Sequence, residues 1–153
     1  SNFQERAGSA RKLSGAIYVS VNPIVQSDQL SKWERYIQTD VNDWIDEGLE
    51  FQDRLGLNNF VDDDHTAKTW LTRSKVDPLH TFDEYGRPRL SIADGPFLPR
   101  WQTSPVLKTS LVNENLFEDP KIANTARDSI ASKSAVLGGF VSAPAGPTND
   151  PDR

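Results

Sequence analysis

Between Asp28 and Asp46 apolar residues return every three or four positions. Leu30, Trp33, Ile37, Val41, Trp44 and Ile45 share one stripe, while Lys32, Arg35, Gln38, Asp43 and Glu47 fall opposite. This is the helical period. With Ser27 or Asp28 as N-cap it predicts one long amphipathic helix, running from Asp28 to about Asp46 or somewhat beyond, with Gly48 and Gly56 as candidate stops. The stripe would bury Trp33 and Trp44, so Trp33→Ala is expected to cost about 3–5 kcal/mol if that site is dry. At the N-terminus, Phe3, Ala7, Ala10 and Leu13 also fall at helical spacing and predict a short helix stopped by Ser14-Gly15.

Other segments carry a different pattern. Ala16–Val21 is dense in β-branched and aromatic residues and is closed by Asn22-Pro23, which predicts a strand. Phe82–Arg89 holds acidic residues, Gly86 and then Pro88, a turn signature that delivers the chain into a short strand at Leu90-Ser91-Ile92. Ala67–Leu71 is a short strand or helical turn anchored by Trp70, and Val106–Val112 is strand-like. Asn113–Leu116 is a polar turn. Asp119-Pro120 opens a helix with Ile122, Ala123, Ala126 and Ile130 inward, ended or bent by Gly138-Gly139, and Phe140-Val141 begins a last strand. Together these elements predict an α+β domain: a short antiparallel sheet with one long amphipathic helix packed on it. The domain covers residues 1–142, and 143–153, with three prolines, forms a linker or tail.

Gly95–Pro105 fits neither period. Three prolines, a glycine, Phe97, Leu98, Arg100, Trp101 and Gln102 in eleven residues predict a rigid, folded-back loop whose apolar side chains insert into the core. This loop is the candidate ligand- or partner-facing feature. Arg100, Trp101, Gln102 and Phe97, with Arg89 from the preceding strand, are the candidate binding residues. Aromatic walls with a few fixed polar groups are what small-molecule sites are built from, and an inward Arg100 would clamp a carboxylate or phosphate.

Composition narrows the chemistry. A net charge of −5 with scattered Lys and Arg argues against a nucleic-acid partner. The absence of cysteine removes disulfides, thiolate metal sites and a Cys nucleophile. No apolar run is long enough to span a bilayer, and a chain that lacks methionine and opens Ser-Asn-Phe reads as a fragment or processed product. Asp62-Asp63-Asp64-His65 invites a metal, but the glycine and late glutamate of a Ca²⁺ loop do not follow. It reads as an acidic turn capping Thr66–Arg73. His65 and His80 have no Gly-x-Ser-x-Gly serine beside them in sequence, and Gly138-Gly139 lacks the rest of a phosphate loop. No catalytic residue, metal or cofactor is therefore assigned, and the chain is read as noncatalytic.

The order of a helix, Leu13-Ser14-Gly15-Ala16, an apolar strand, Pro23-Ile24-Val25 and then Trp33-Glu34-Arg35-Tyr36 is similar to the opening of CHASE-type extracellular sensor regions. Gly95–Pro105 followed by Val112-Asn113-Glu114-Asn115-Leu116 resembles a segment of the large extracellular regions of diatom receptor-type nucleotide (adenylate or guanylate) cyclases. The resemblance spans about residues 3–142. It implies a PAS-like or CHASE-like fold and a sensor module on the extracellular or lumenal side of a membrane, attached through segments outside this sequence, where any cyclase domain would also lie. Its partner would be a small ligand or a protein, with a homodimer as one possibility. The alternative is a structural or docking subunit of a larger assembly, in which Phe97, Trp101 and Leu116 would form an exposed patch.

Overall fold

The computed structural model describes residues 3–16, 18–38, 43–55, 76–106 and 109–134. It is a mixed α+β structure. Among the described residues four helices, α1 (Phe3–Ser14), α2 (Leu30–Ile37), α3 (Asp43–Leu55) and α4 (Ala123–Ser132), accompany four short strands, β1 (Val19–Val21), β2 (His80–Phe82), β3 (Pro88–Leu90) and β4 (Gln102–Ser104). β1 pairs antiparallel with β4, with Ser20 opposite Thr103, and β2 pairs antiparallel with β3, with Thr81 opposite Arg89.

Isolated bridges join these two small sheets. Phe97 faces Val25, Pro99 faces Asn115 and His80 faces Glu114. The supporting bonds run from Val25 N to Phe97 O (2.9 Å) and back (2.8 Å), from Arg100 N to Glu114 O (2.8 Å), from Leu116 N to Leu98 O (2.9 Å) and from Asn115 N to His80 O (2.7 Å). Gly95–Pro105 is therefore a central extended segment, hydrogen-bonded on one side to residues 19–25 and on the other to residues 113–116. The prolines suit that place, since a residue without an N–H fits only where the ladder needs no donor. The peptide bonds before Pro96 and Pro105 are cis.

The long helix expected from Asp28 is two helices. After a 3-10 turn at Ser27–Gln29, α2 ends at Ile37 and α3 begins at Asp43. The apolar stripe runs through both helices, and residues 39–42 between them lie outside the described residues. Periodicity alone misses that break.

Other elements shift more modestly. β1 is shorter than Ala16–Val21, and β3 begins and ends two residues before the expected strand. Residues 109–111, expected as strand, form a 3-10 turn. Asp119 does cap, accepting the Lys121 N–H, but through a turn that delays α4 to Ala123. On α1, Gln4 and Ala7 are the buried positions, and Leu13 is 89% exposed. Asp62–His65, Ala67–Leu71 with Trp70, Gly56, Gly138-Gly139, Phe140-Val141 and the 143–153 tail lie outside the described residues.

The main core gathers Ile37, Trp44, Ile45, Val76, Trp101, Val106 and Val112, and Val25, Leu79 and Phe97 form a second cluster. Gly48, a candidate stop by sequence, lies inside α3 because nothing larger fits: a Cβ there would run into Val106 Cγ2 and come within 2.9 Å of Gln4 Nε2. Gly48→Ala is expected to destabilise the fold by about 1–3 kcal/mol through overpacking, although alanine is the better helix former. Urea denaturation monitored by tryptophan fluorescence measures it.

Candidate functional site

Phe97, Leu98, Pro99, Arg100 and Trp101 are all buried. The turn from loop to core follows from the backbone pairing above, which makes the segment central, and from the core clusters that pack on Phe97 and Trp101. Phe97 packs with Val25 and Leu79. Trp101 packs edge-on to Trp33 at a centroid separation of 5.0 Å and lies 5.7 Å from Trp44 and 5.9 Å from Tyr36. Gln102 is half-buried on β4, opposite Val21. Arg89 stands on exposed β3, held by Asp83 at 3.1 Å, so the structure joins four of the five predicted residues along one segment and sets Arg89 in a hairpin of its own.

Arg100 faces inward, as a clamp would, but the partner is internal. Its Nε and Nη2 donate to Glu114 Oε2 at 3.1 and 2.8 Å, and Nη1 lies 3.4 Å from the Tyr18 hydroxyl. Burial opposes the guanidinium charge. The Glu114 carboxylate and the Tyr18 hydroxyl outweigh that and place the Arg100 pKa above its ordinary value. The charge that could have met an anionic ligand is thus neutralised within the fold.

Glu114 belongs to the segment expected as a polar turn. Instead Asn113 and Asn115 are fully buried and act as staples. Asn113 accepts from Trp33 Nε1 (2.8 Å) and donates to Asp77 O (3.0 Å), with φ of 69° in the left-handed region that asparagine tolerates. Asn115 accepts from Leu98 N (3.0 Å) and donates to Glu118 Oε2 (2.9 Å), which also accepts from Ser91 Oγ. The available signal was the alternation Asn-x-Asn between the apolar Val112 and Leu116, a pattern that can set polar side chains inward, although Asn113 itself takes left-handed backbone.

The aromatic quartet Trp33, Tyr36, Trp44 and Trp101 holds one unmet polar group. Trp44 is 3% exposed and its indole N–H has no acceptor among the described residues. A buried donor without a partner costs about 1–3 kcal/mol and calls for an explanation. Trp33 and Tyr36 extend the quartet toward solvent, Tyr36 being 42% exposed.

The His80 ring is engaged by the backbone. Its Nδ1 and Nε2 each lie 2.9 Å from a backbone carbonyl, of Pro78 and Ser110, so neither nitrogen is directed at a nucleophile. His65 lies outside the described residues. Among the described residues no group of three or more His, Asp or Glu is placed to hold a metal, and no helix is long and apolar enough to cross a membrane.

The β2–β3 turn is organised by Asp83. Its carboxylate accepts the N–H groups of Tyr85 and Arg87 at 2.9 Å and both guanidiniums. The Arg87 N–H is the largest influence, and the Asp83 pKa falls from 3.8 to about 2. A carboxylate lowered on folding stabilises the turn above the unfolded pKa and loses that contribution as pH falls from about 3.8 toward 2. Amide shifts of Tyr85 and Arg87 are expected to titrate near pH 2, well below those of an exposed aspartate, and Asp83→Asn removes the transition.

No protein-family model matches the chain, and neither a curated protein nor a solved structure is found similar to it.

Proposed function

We propose that the chain is a noncatalytic ligand-binding module, the extracytoplasmic sensor part of a membrane receptor. The observation that carries this reading is the aromatic quartet with its unmatched Trp44 N–H. A fixed donor among packed aromatic rings suits a small planar or apolar ligand that parts them and brings a single acceptor, a carbonyl or carboxylate oxygen, to that N–H. The CHASE-like order of the N-terminal half supports the sensor role.

A route outward accompanies the site. Trp101 leads directly into β4, and the Gln4 side chain of α1 donates to Thr103 O at 2.9 Å across a buried contact. A ligand that shifts Trp101 would bear on β4 and so on α1, the helix nearest the N-terminal end of the chain.

Thermal-shift and tryptophan-fluorescence screening against planar aromatic acids, nucleobases and apolar amino acids tests the reading. A stabilising compound should lose its effect in Trp44→Phe, which keeps a ring but removes the donor. A melting temperature unmoved by every class, or a shift that survives Trp44→Phe, removes the quartet as the site.

A further inference from the structure

The outer edge of β3 carries a feature that ligand binding does not use. Leu90, the last residue of β3, and Ile92, two residues beyond it, are 67% and 90% exposed, at the edge that ends the paired layer among the described residues. Ser91 N donates to Leu79 O (3.1 Å) and Asp83 N donates to Arg87 O (3.0 Å). In an antiparallel ladder that alternation turns the peptide groups of residues 87, 89 and 91 toward β2, and those of Pro88 and Leu90 outward. Leu90 lies across from His80 and Pro88 across from Phe82, so the two share a face with a buried and a half-buried residue and continue it past its covered limit.

We propose that this edge pairs with the same edge of a second copy of the chain, antiparallel and centred on Leu90. The free backbone groups select that register. Leu90 N–H meets the carbonyl of Leu90 in the second copy and reciprocally, Pro88 lies opposite Ile92, and Arg89 lies opposite Ser91. Apolar residues then face apolar residues, and no arginine opposes an arginine directly. A register centred on Arg89 would set like charges together and would call on peptide groups already bonded to β2. Pro88, which lacks an N–H, and the Asp83 turn keep the pairing short, so it closes as a two-fold pair and does not propagate. Such a short edge is far smaller than a standard interface of about 800 Å² per partner, and the association is of the transient class.

The chain contains no cysteine, which gives a direct test. Antiparallel partners that exchange both backbone bonds stand about 5.5 Å apart at Cα, within disulfide reach. Leu90→Cys should oxidise to a disulfide dimer several-fold faster than Tyr85→Cys, which is 73% exposed at the hairpin tip but lies beyond the register. In the cysteine-free protein, Leu90 and Ile92 amide shifts should move with concentration between about 20 µM and about 1 mM, and Leu90→Lys should abolish the movement at unchanged melting temperature. Equal oxidation rates at positions 85 and 90, or amide shifts independent of concentration, overturn the proposal. So does concentration dependence that maps to another surface.

Discussion

Trp101→Ala is expected to lower stability by about 3–5 kcal/mol, more than any other truncation in the aromatic quartet. Trp101 is 5% exposed and touches all three other rings, in the core that also contains Ile37, Ile45, Val106 and Val112. Alanine would leave a cavity on one side of three aromatic rings, and the segment around it cannot collapse inward. Residues 97–100 are pinned by backbone bonds to Val25, Glu114 and Leu116, and β4 is pinned by β1. Trp33→Ala should cost clearly less, because Trp33 is only half-buried and lies on the outer side of the cluster. Its cost is mainly the contact with Trp101 and the bond to Asn113. Chemical denaturation of both variants checks the ranking, and equal costs would mean that the cluster is not centred on Trp101.

That ranking reverses the one the hydrophobic pattern implies, and the reversal shows where the sequence was legible. Helical period found α1, α2 and the first turn of α3, since a stripe is a local property. It could not show which ring sits at the centre, because Trp101 belongs to a proline-rich segment with no period. The same limit explains the Gly95–Pro105 stretch. Its rigidity and the insertion of Phe97, Leu98 and Trp101 follow from composition, but its central position depends on pairing with residues 19–25 and 113–116, which are remote in sequence. Gly48 misleads for a related reason. A glycine that ends a helix and one that admits a neighbouring side chain look alike until Val106 is placed beside it. Of the candidate site, the sequence left Arg100 open between a solvated or internally paired side chain and an inward clamp, and its partner was not legible. Glu114 sits in a run of polar residues whose ordinary place is a surface turn, and only the alternation of Asn113 and Asn115 hints otherwise.

Glu114→Ala is expected to cost about 3–5 kcal/mol, a loss as large as that of Trp101 and of a different origin. The guanidinium of Arg100 is 3% exposed and directs two of its three nitrogens at one Glu114 oxygen. Without that carboxylate the remaining contact is the Tyr18 hydroxyl at 3.4 Å, with the Tyr18 ring 5.9 Å away, too little to hold a desolvated cation. Glu114→Gln should fall between the wild type and the alanine variant, keeping an acceptor but losing the charge. The double variant Arg100→Met, Glu114→Leu should recover most of the loss, because well-packed apolar groups of similar volume replace a buried pair with little penalty while a broken pair strands one charge. Urea denaturation of the two single variants and the double variant separates the explanations. If the double variant is at least as unstable as Glu114→Ala, packing around Tyr18 and β1 dominates the site, and the ion pair is incidental. If it recovers, the pair contributes little net stability, and its physical role is to fix which residue of the central segment lies opposite residues 113–115, since a shift by one residue would bury Arg100 without its counter-charge.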